Sequence, residues 1–163
     1  MEKEEQNMAG KEIYKRKVHY YETDQMGIVH HSNYIRWFEE ARIDMMEKMG
    51  LGYEVMEAEG IISPVLTVQA DYLRMMHFGD TFSVKCFIKE YNGIKLSVGY
   101  EVINEGTGMV HSRGTTKHCF IDKTGRPLSL KQAQTKFHEM FLEGLEAYKR
   151  EHAEEKEKNQ NKK

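Results

Sequence analysis

The chain has 163 residues, a length at which one domain with one core is the default. Its 24 Lys plus Arg against 26 Asp plus Glu leave a net charge of −2, so no basic field is present to attract nucleic acid or anionic lipid. The two cysteines, Cys86 and Cys119, form no CxxC pair, and no run of 18 apolar residues occurs; a disulfide scaffold, a zinc module and a membrane span are all disfavoured, and a soluble cytoplasmic protein is expected.

Residues 1–11 are polar and read as a flexible tail ahead of a single domain over 12–148. Residues 13–21 are β-prone, with Tyr14, Val18 and Tyr20 sharing one parity, and give a first strand. After Asn33 the period changes: Tyr34, Phe38, Ala41, Met45 and Met49 recur at steps of four and three, predicting a helix of about four turns that ends at Gly50. Ile35, Trp37, Ile43 and Met46 make it apolar over much of its circumference, so it should be enclosed. A short helix over 53–59 follows, ended by Gly60.

From Val65 the period is two. Leu66, Val68, Ala70 and Tyr72 predict a half-buried strand. Phe82, Val84, Cys86 and Ile88 predict the next, and Asn92-Gly93 has the composition of a type I′ hairpin turn. The returning strand carries Ile94, Leu96, Val98, Tyr100 and Val102, and a fifth strand covers 109–121. Ser129 with Gln132 suggests a capping box opening a helix through Leu130, Ala133, Phe137, Phe141, Leu145 and Tyr148. Residues 149–163 are almost wholly charged or polar and read as a solvated tail. The order is α+β, an antiparallel five-stranded sheet around a long central helix with a further helix at the C-terminus.

Phosphate cradles, serine-hydrolase elbows, HExxH and calcium loops are absent. The unusual stretch is the turn before the long helix, where Asp24, Gly27, His30 and His31 converge. A helix start offers unpaired N–H groups to a developing oxyanion, and Gly27 admits a substrate close to the backbone. A carboxylate seven positions before His31 suits a general base or a nucleophile on a carbonyl held there. Equally, Asp24 suits a purely turn-forming role. His30 and His31 are adjacent and diverge, which disfavours a metal pair, and Cys119 beside His118 reads as a core thiol.

The run His19-Tyr-Tyr-Glu-Thr-Asp24-Gln-Met-Gly27-Ile-Val-His-His31-Ser-Asn33-Tyr34-Ile-Arg-Trp-Phe-Glu39-Glu-Ala-Arg42 resembles the hotdog-fold acyl-CoA thioesterases, in particular the 4-hydroxybenzoyl-CoA thioesterase group and its YbgC-type branch. Pro64-Val65, Asp71-Tyr72-Leu73-Arg74 and Gly79-Asp80-Thr81 extend the likeness over about residues 13–127. The resemblance implies a hotdog fold and hydrolysis of an acyl-CoA to free acid and CoA. It implies Asp24 as the catalytic carboxylate, His31 with its backbone N–H at the oxyanion, and Gly27, Asn33 and Tyr34 against substrate. No metal or other cofactor is implied, and the active site is expected at the interface of a homodimer or homotetramer. The alternatives on this fold are a non-catalytic acyl-CoA or acyl-carrier sensor, or an acyl-carrier-protein thioesterase.

Overall fold

The clearest alternation in the sequence becomes the middle of an antiparallel five-stranded sheet with strand order β1-β3-β4-β5-β2. A computed structural model describes residues 13–162. Its strands are β1 (Tyr14–Lys17), β2 (Val65–Tyr72), β3 (Thr81–Tyr91), β4 (Lys95–Asn104) and β5 (Val110–Cys119). Its helices are α1 (Ser32–Lys48), α2 (Tyr53–Ala58), α3 (Leu130–Ala133) and α4 (Thr135–Gln160). The expected α+β layout is therefore present. The N-terminal tail expected over 1–11 lies outside the described residues.

Long α1 lies on the inner face of the sheet because its bulky side chains meet flat aromatic partners there. Trp37 stacks on Phe82 with centroids 4.0 Å apart, and Phe38 stacks on Tyr100 at 4.6 Å. Phe38 also needs Gly114 beneath it, since a Cβ at that position would stand 2.3 Å from its ring. The register pairs Tyr100 with Gly114, which places the glycine beside the ring that Phe38 covers.

Five details differ from the sequence reading. The β3–β4 turn is not type I′, because among the described residues only glycines take positive φ; Gly93 does so at +91°, while the Asn92 side chain accepts from the Ile94 and Lys95 amides at 3.0 and 2.8 Å. The first strand is shorter than 13–21, giving way to a 3₁₀ turn at Tyr20–Glu22. The expected capping box at Ser129 does not form. Ser129 makes no side-chain cap, and the backbone breaks at Gln134 (φ −148°, ψ 79°), separating α3 from α4. The 149–163 stretch is solvated as expected, yet it is helical as far as Gln160, with spaced pairs such as Lys149–Glu146 along it.

The fifth difference matters most. β2 was expected to be half buried, but all its residues except Ala70 are exposed, with Leu66, Val68 and Tyr72 at 54, 40 and 47%. It is the edge strand beyond β5, and α1 and α4 both sit towards β3. Ile35 on α1 is exposed too, so the helix is not enclosed on that side. At the other flank β1 pairs only with Thr81–Val84 of β3. Beyond it α4 covers the strand, packing Gly144 on Ile88 and stacking Tyr148 on Phe87 at 4.6 Å. One edge of the sheet is thus closed by the chain itself and the other is open. No helix among the described residues is long and apolar enough to cross a membrane.

Gly114→Ala forces the new methyl into Phe38 and the stack above it. We expect a loss of about 1–3 kcal/mol, read as a lower urea midpoint with an unchanged m-value; unchanged stability would show that Phe38 has room to move.

Candidate active site

The chain leaves β1 through the 3₁₀ turn and folds the next segment into a closed loop. An isolated bridge joins Thr23 to Val29, the Asp24 N–H donates to the Ile28 carbonyl at 2.8 Å, and the Gly27 N–H donates to the Asp24 carbonyl at 2.9 Å. Gly27 sits at φ +76° with nothing within 4 Å of where a Cβ would be, so the turn needs the glycine and leaves open space at it. A bridge from Ile28 to His77 and the Val29 N–H on the Met76 carbonyl fasten the loop to the β2–β3 connection.

Within this loop Asp24 is part-exposed and takes the turn-forming role with one oxygen while leaving the other unengaged. Its Oδ1 accepts the Met26 N–H at 2.8 Å, the turn-forming role, while Oδ2 has no hydrogen bond among the described residues. The loop runs into α1 at His31, the residue preceding the helix, which has no side-chain cap. The Ser32, Asn33 and Tyr34 amides turn back to His30 Nδ1, the His30 carbonyl and the His31 carbonyl, whereas the His31 N–H has no acceptor among the described residues. This leaves one donor, at the positive end of a 17-residue helix, free for an incoming oxygen. The His31 ring is exposed, 4.1 Å from that of His30 and 6.1 Å from that of Tyr72, whose hydroxyl donates to the His31 carbonyl at 3.2 Å.

Of the expected site residues, Asp24, Gly27 and His31 share this exposed loop, while Asn33 and Tyr34 are buried beneath it. The Asn33 amide donates to the Glu22 carbonyl at 2.8 Å and the His30 carbonyl at 3.3 Å. Tyr34 lies between Trp37 and Tyr72, and burial pushes its hydroxyl up to about 12. Both support the loop from below. Among the described residues no group of three His, Cys, Asp or Glu is placed to hold a metal ion.

Glu22 escaped the sequence reading. Glu22 is 2% exposed, yet its carboxylate receives four donors: Arg16 Nη1 and Nη2 at 2.8 and 2.7 Å, the His19 N–H at 2.7 Å and Trp37 Nε1–H at 2.6 Å. Burial pushes its pKa up, but the hydrogen bonds from Arg16, His19 and Trp37 outweigh it and bring it down to about 2. The signal available was the need of a buried Trp37 N–H for an acceptor.

A model of the thioesterase-like superfamily matches residues 18–145, which takes in this loop, α1 and strands β2 to β5. The chain belongs to that superfamily. Among relatives of this thioesterase-like protein, YneP of Bacillus subtilis, provisionally named an acyl-CoA thioesterase, is 35% identical over 83% of this chain and 96% of its own. The solved DHNA-CoA thioesterase of Staphylococcus aureus is 33% identical, covers 89% of this chain and 93% of its own, and superposes with a TM-score of 0.73. The acyl-CoA thioester hydrolase YbgC of Escherichia coli is 21% identical over 70% of this chain and 85% of its own.

Deeper in this thioesterase-like domain, a polar chain crosses from α1 to β5. Buried Arg42 donates to the Tyr53 hydroxyl at 2.8 Å and the Tyr100 hydroxyl at 3.0 Å; Tyr100 meets Thr116 Oγ1 at 2.7 Å, and Thr116 meets His118 Nε2 at 2.7 Å. A guanidinium only donates, so the Tyr100 hydroxyl is left to donate to Thr116 and Thr116 to His118 Nε2, which accepts. His118 Nδ1 then carries the hydrogen, on the side of the Ser63 backbone. Burial, then the Arg42 charge, lowers the His118 pKa from 6.5 to about 4.

His118 is therefore neutral in the folded protein while the unfolded chain takes up a proton as pH falls below 6.5. Its contribution is fully present above that pH and is lost progressively towards pH 4, by on the order of 2–3 kcal/mol in total. Urea midpoints should thus decline between pH 6.5 and 5, and His118→Gln should flatten that stretch; an equal slope in the variant would assign it elsewhere.

Proposed function

We propose that this protein is an acyl-CoA thioesterase of the YbgC-type branch, acting in the cytoplasm, in which Asp24 attacks the thioester carbonyl or activates the water that does. The observation that carries the reading is the division of labour in the loop. Asp24 keeps one carboxylate oxygen free, and a few residues on, the His31 N–H at the start of α1 is also free. Between them in the chain, Gly27 leaves open space for the carbonyl on which both would act.

In the general-base form, Asp24 takes a proton from water as the hydroxide oxygen adds to the carbonyl carbon. The negative charge moves onto the carbonyl oxygen, against the His31 N–H and the helix start. Collapse breaks the C–S bond, and the CoA thiolate takes a proton from Asp24 or the exposed His31 ring. No step calls for a metal or redox cofactor. The buried Asn33 and Tyr34 support the substrate site through the loop above them. The 35% identity to YneP across nearly the whole of that protein supports acyl-CoA as the substrate over a sensing role.

The same reading makes the protein a homodimer or a dimer of dimers. β2 presents an unpaired edge and exposed Leu66, Val68 and Tyr72, and Tyr72 reaches the His31 carbonyl, so a second copy laid on β2 also borders the site.

Asp24→Asn retains the side chain's size and its acceptor oxygen for the Met26 N–H while removing the charge. The melting temperature should stay within a few degrees, and kcat on an acyl-CoA panel should fall by at least about 100-fold; near-normal kcat would remove Asp24 from the chemistry. Sedimentation at micromolar concentration should show a dimer or larger, and Val68→Lys should shift it towards monomer. A wild-type monomer would refute the assembly.

A further inference from the structure

Glu22 lies in the chain two residues before Asp24, faces away from solvent, and takes no part in the chemistry above. We propose that it is a positioning residue: its buried carboxylate sets the backbone on both sides of the catalytic loop, and turnover depends on that setting. The inference rests on the thioesterase reading of Asp24 and His31.

The connections of Glu22 fall into two sets. Its carboxylate ties together β1 through Arg16, the 3₁₀ turn through the His19 N–H, and the second turn of α1 through Trp37 Nε1–H. Its carbonyl accepts the His30 N–H at 2.9 Å and the Asn33 amide at 2.8 Å. The His30 amide immediately precedes the His31 amide that is free for the oxyanion, and Asp24 follows Glu22 by two positions. Both ends of the loop are thus held at one residue.

Arg16 is itself fixed. Its guanidinium lies 5.6 Å from the Trp37 ring centroid and 5.3 Å from that of Phe82, and Nε donates to Glu40 Oε2 at 3.1 Å. A carboxylate is the only side chain of this size that accepts from four converging donors without presenting a hydrogen to any of them. Glutamine turns an NH₂ towards at least one donor. Aspartate retains the charge but is shorter by one methylene.

A displacement of about 1 Å at reacting groups lowers turnover by about 100-fold. A buried group that serves only stability leaves kcat alone at temperatures where the variant is folded. The two roles therefore separate.

The test measures kcat, KM and melting temperature for wild type, Asp24→Asn, Glu22→Gln, Glu22→Asp and Arg16→Lys, with amide hydrogen exchange on each folded variant. We expect Glu22→Gln, assayed well below its melting temperature, to lose 10- to 100-fold in kcat with KM within about threefold. The Gly27 and His30 amides should exchange faster while those of β3 and β4 do not. Glu22→Asp should recover part of the rate. If Glu22→Gln does not fold, Arg16→Lys decides, because it retains the positive charge and removes the fork; the same loss of kcat and the same local exchange are expected. Kcat within twofold of wild type in the folded variant, or faster exchange spread evenly over the sheet, overturns the proposal. Normal turnover in Glu22→Gln beside a dead Asp24→Asn overturns this inference alone. A wild type that hydrolyses no acyl-CoA overturns the thioesterase reading and this role with it.

Discussion

A buried carboxylate must be matched by donors or it will not stay ionised inside a protein, and the arrangement of the N-terminal third follows from meeting that condition at Glu22. Three elements supply the donors, β1, the 3₁₀ turn and α1, and none supplies more than two. Satisfying Glu22 therefore sets how the strand, the turn and the helix sit relative to one another. Burial raises the pKa of the acid and its partners lower it further, to about 2. The net effect is a carboxylate that holds its charge, and so its partners, well below neutral pH.

The second organising fact is the asymmetry of the sheet. On the β3 side α1 and α4 cover the inner face, and α4 takes over where β1 ends. On the β2 side nothing among the described residues covers Leu66, Val68 or Ile35. A strand with an exposed apolar face and a free edge has the character of an association surface, and in this protein that face runs up to Tyr72, whose hydroxyl touches the start of α1. Architecture and site therefore meet at the open edge.

The sequence disclosed most where local pattern and tertiary environment agree. Alternation marked β3 and β4 because both lie in the core, and the four-three stripe marked α1 because the stripe faces them. It misled at β2, where the same alternation lies on an edge: period reports which residues share a face, not whether anything covers that face. Ser129 with Gln132 matched a capping motif, yet Gln134 breaks the helix one turn later, so the motif had no long helix to cap. At the site, Asp24, Gly27 and His31 were legible because turn chemistry and chemical type coincide in a short stretch. Glu22 and His118 were not, since their meaning lies in partners 15 and 76 residues away: Trp37 for the first, and for the second Arg42, reached through Tyr100 and Thr116.

The loop also answers a difficulty in carboxylate-assisted thioester cleavage. If Asp24 acts as the base, its charge disappears as the oxyanion appears, so the total charge near the helix start hardly changes along the reaction. A positive field spread evenly over the loop would then favour reactant and transition state alike and would accelerate nothing. The donors are not spread evenly. The Met26 N–H is already bound to Asp24, whereas the His31 N–H has no acceptor among the described residues. On the proposed mechanism the first stabilises the carboxylate before reaction and the second acts only on the charge that reaction creates. Acceleration then depends on the separation of these two amides along the loop, which its closure between Thr23 and Val29 and its fastening at Glu22 maintain.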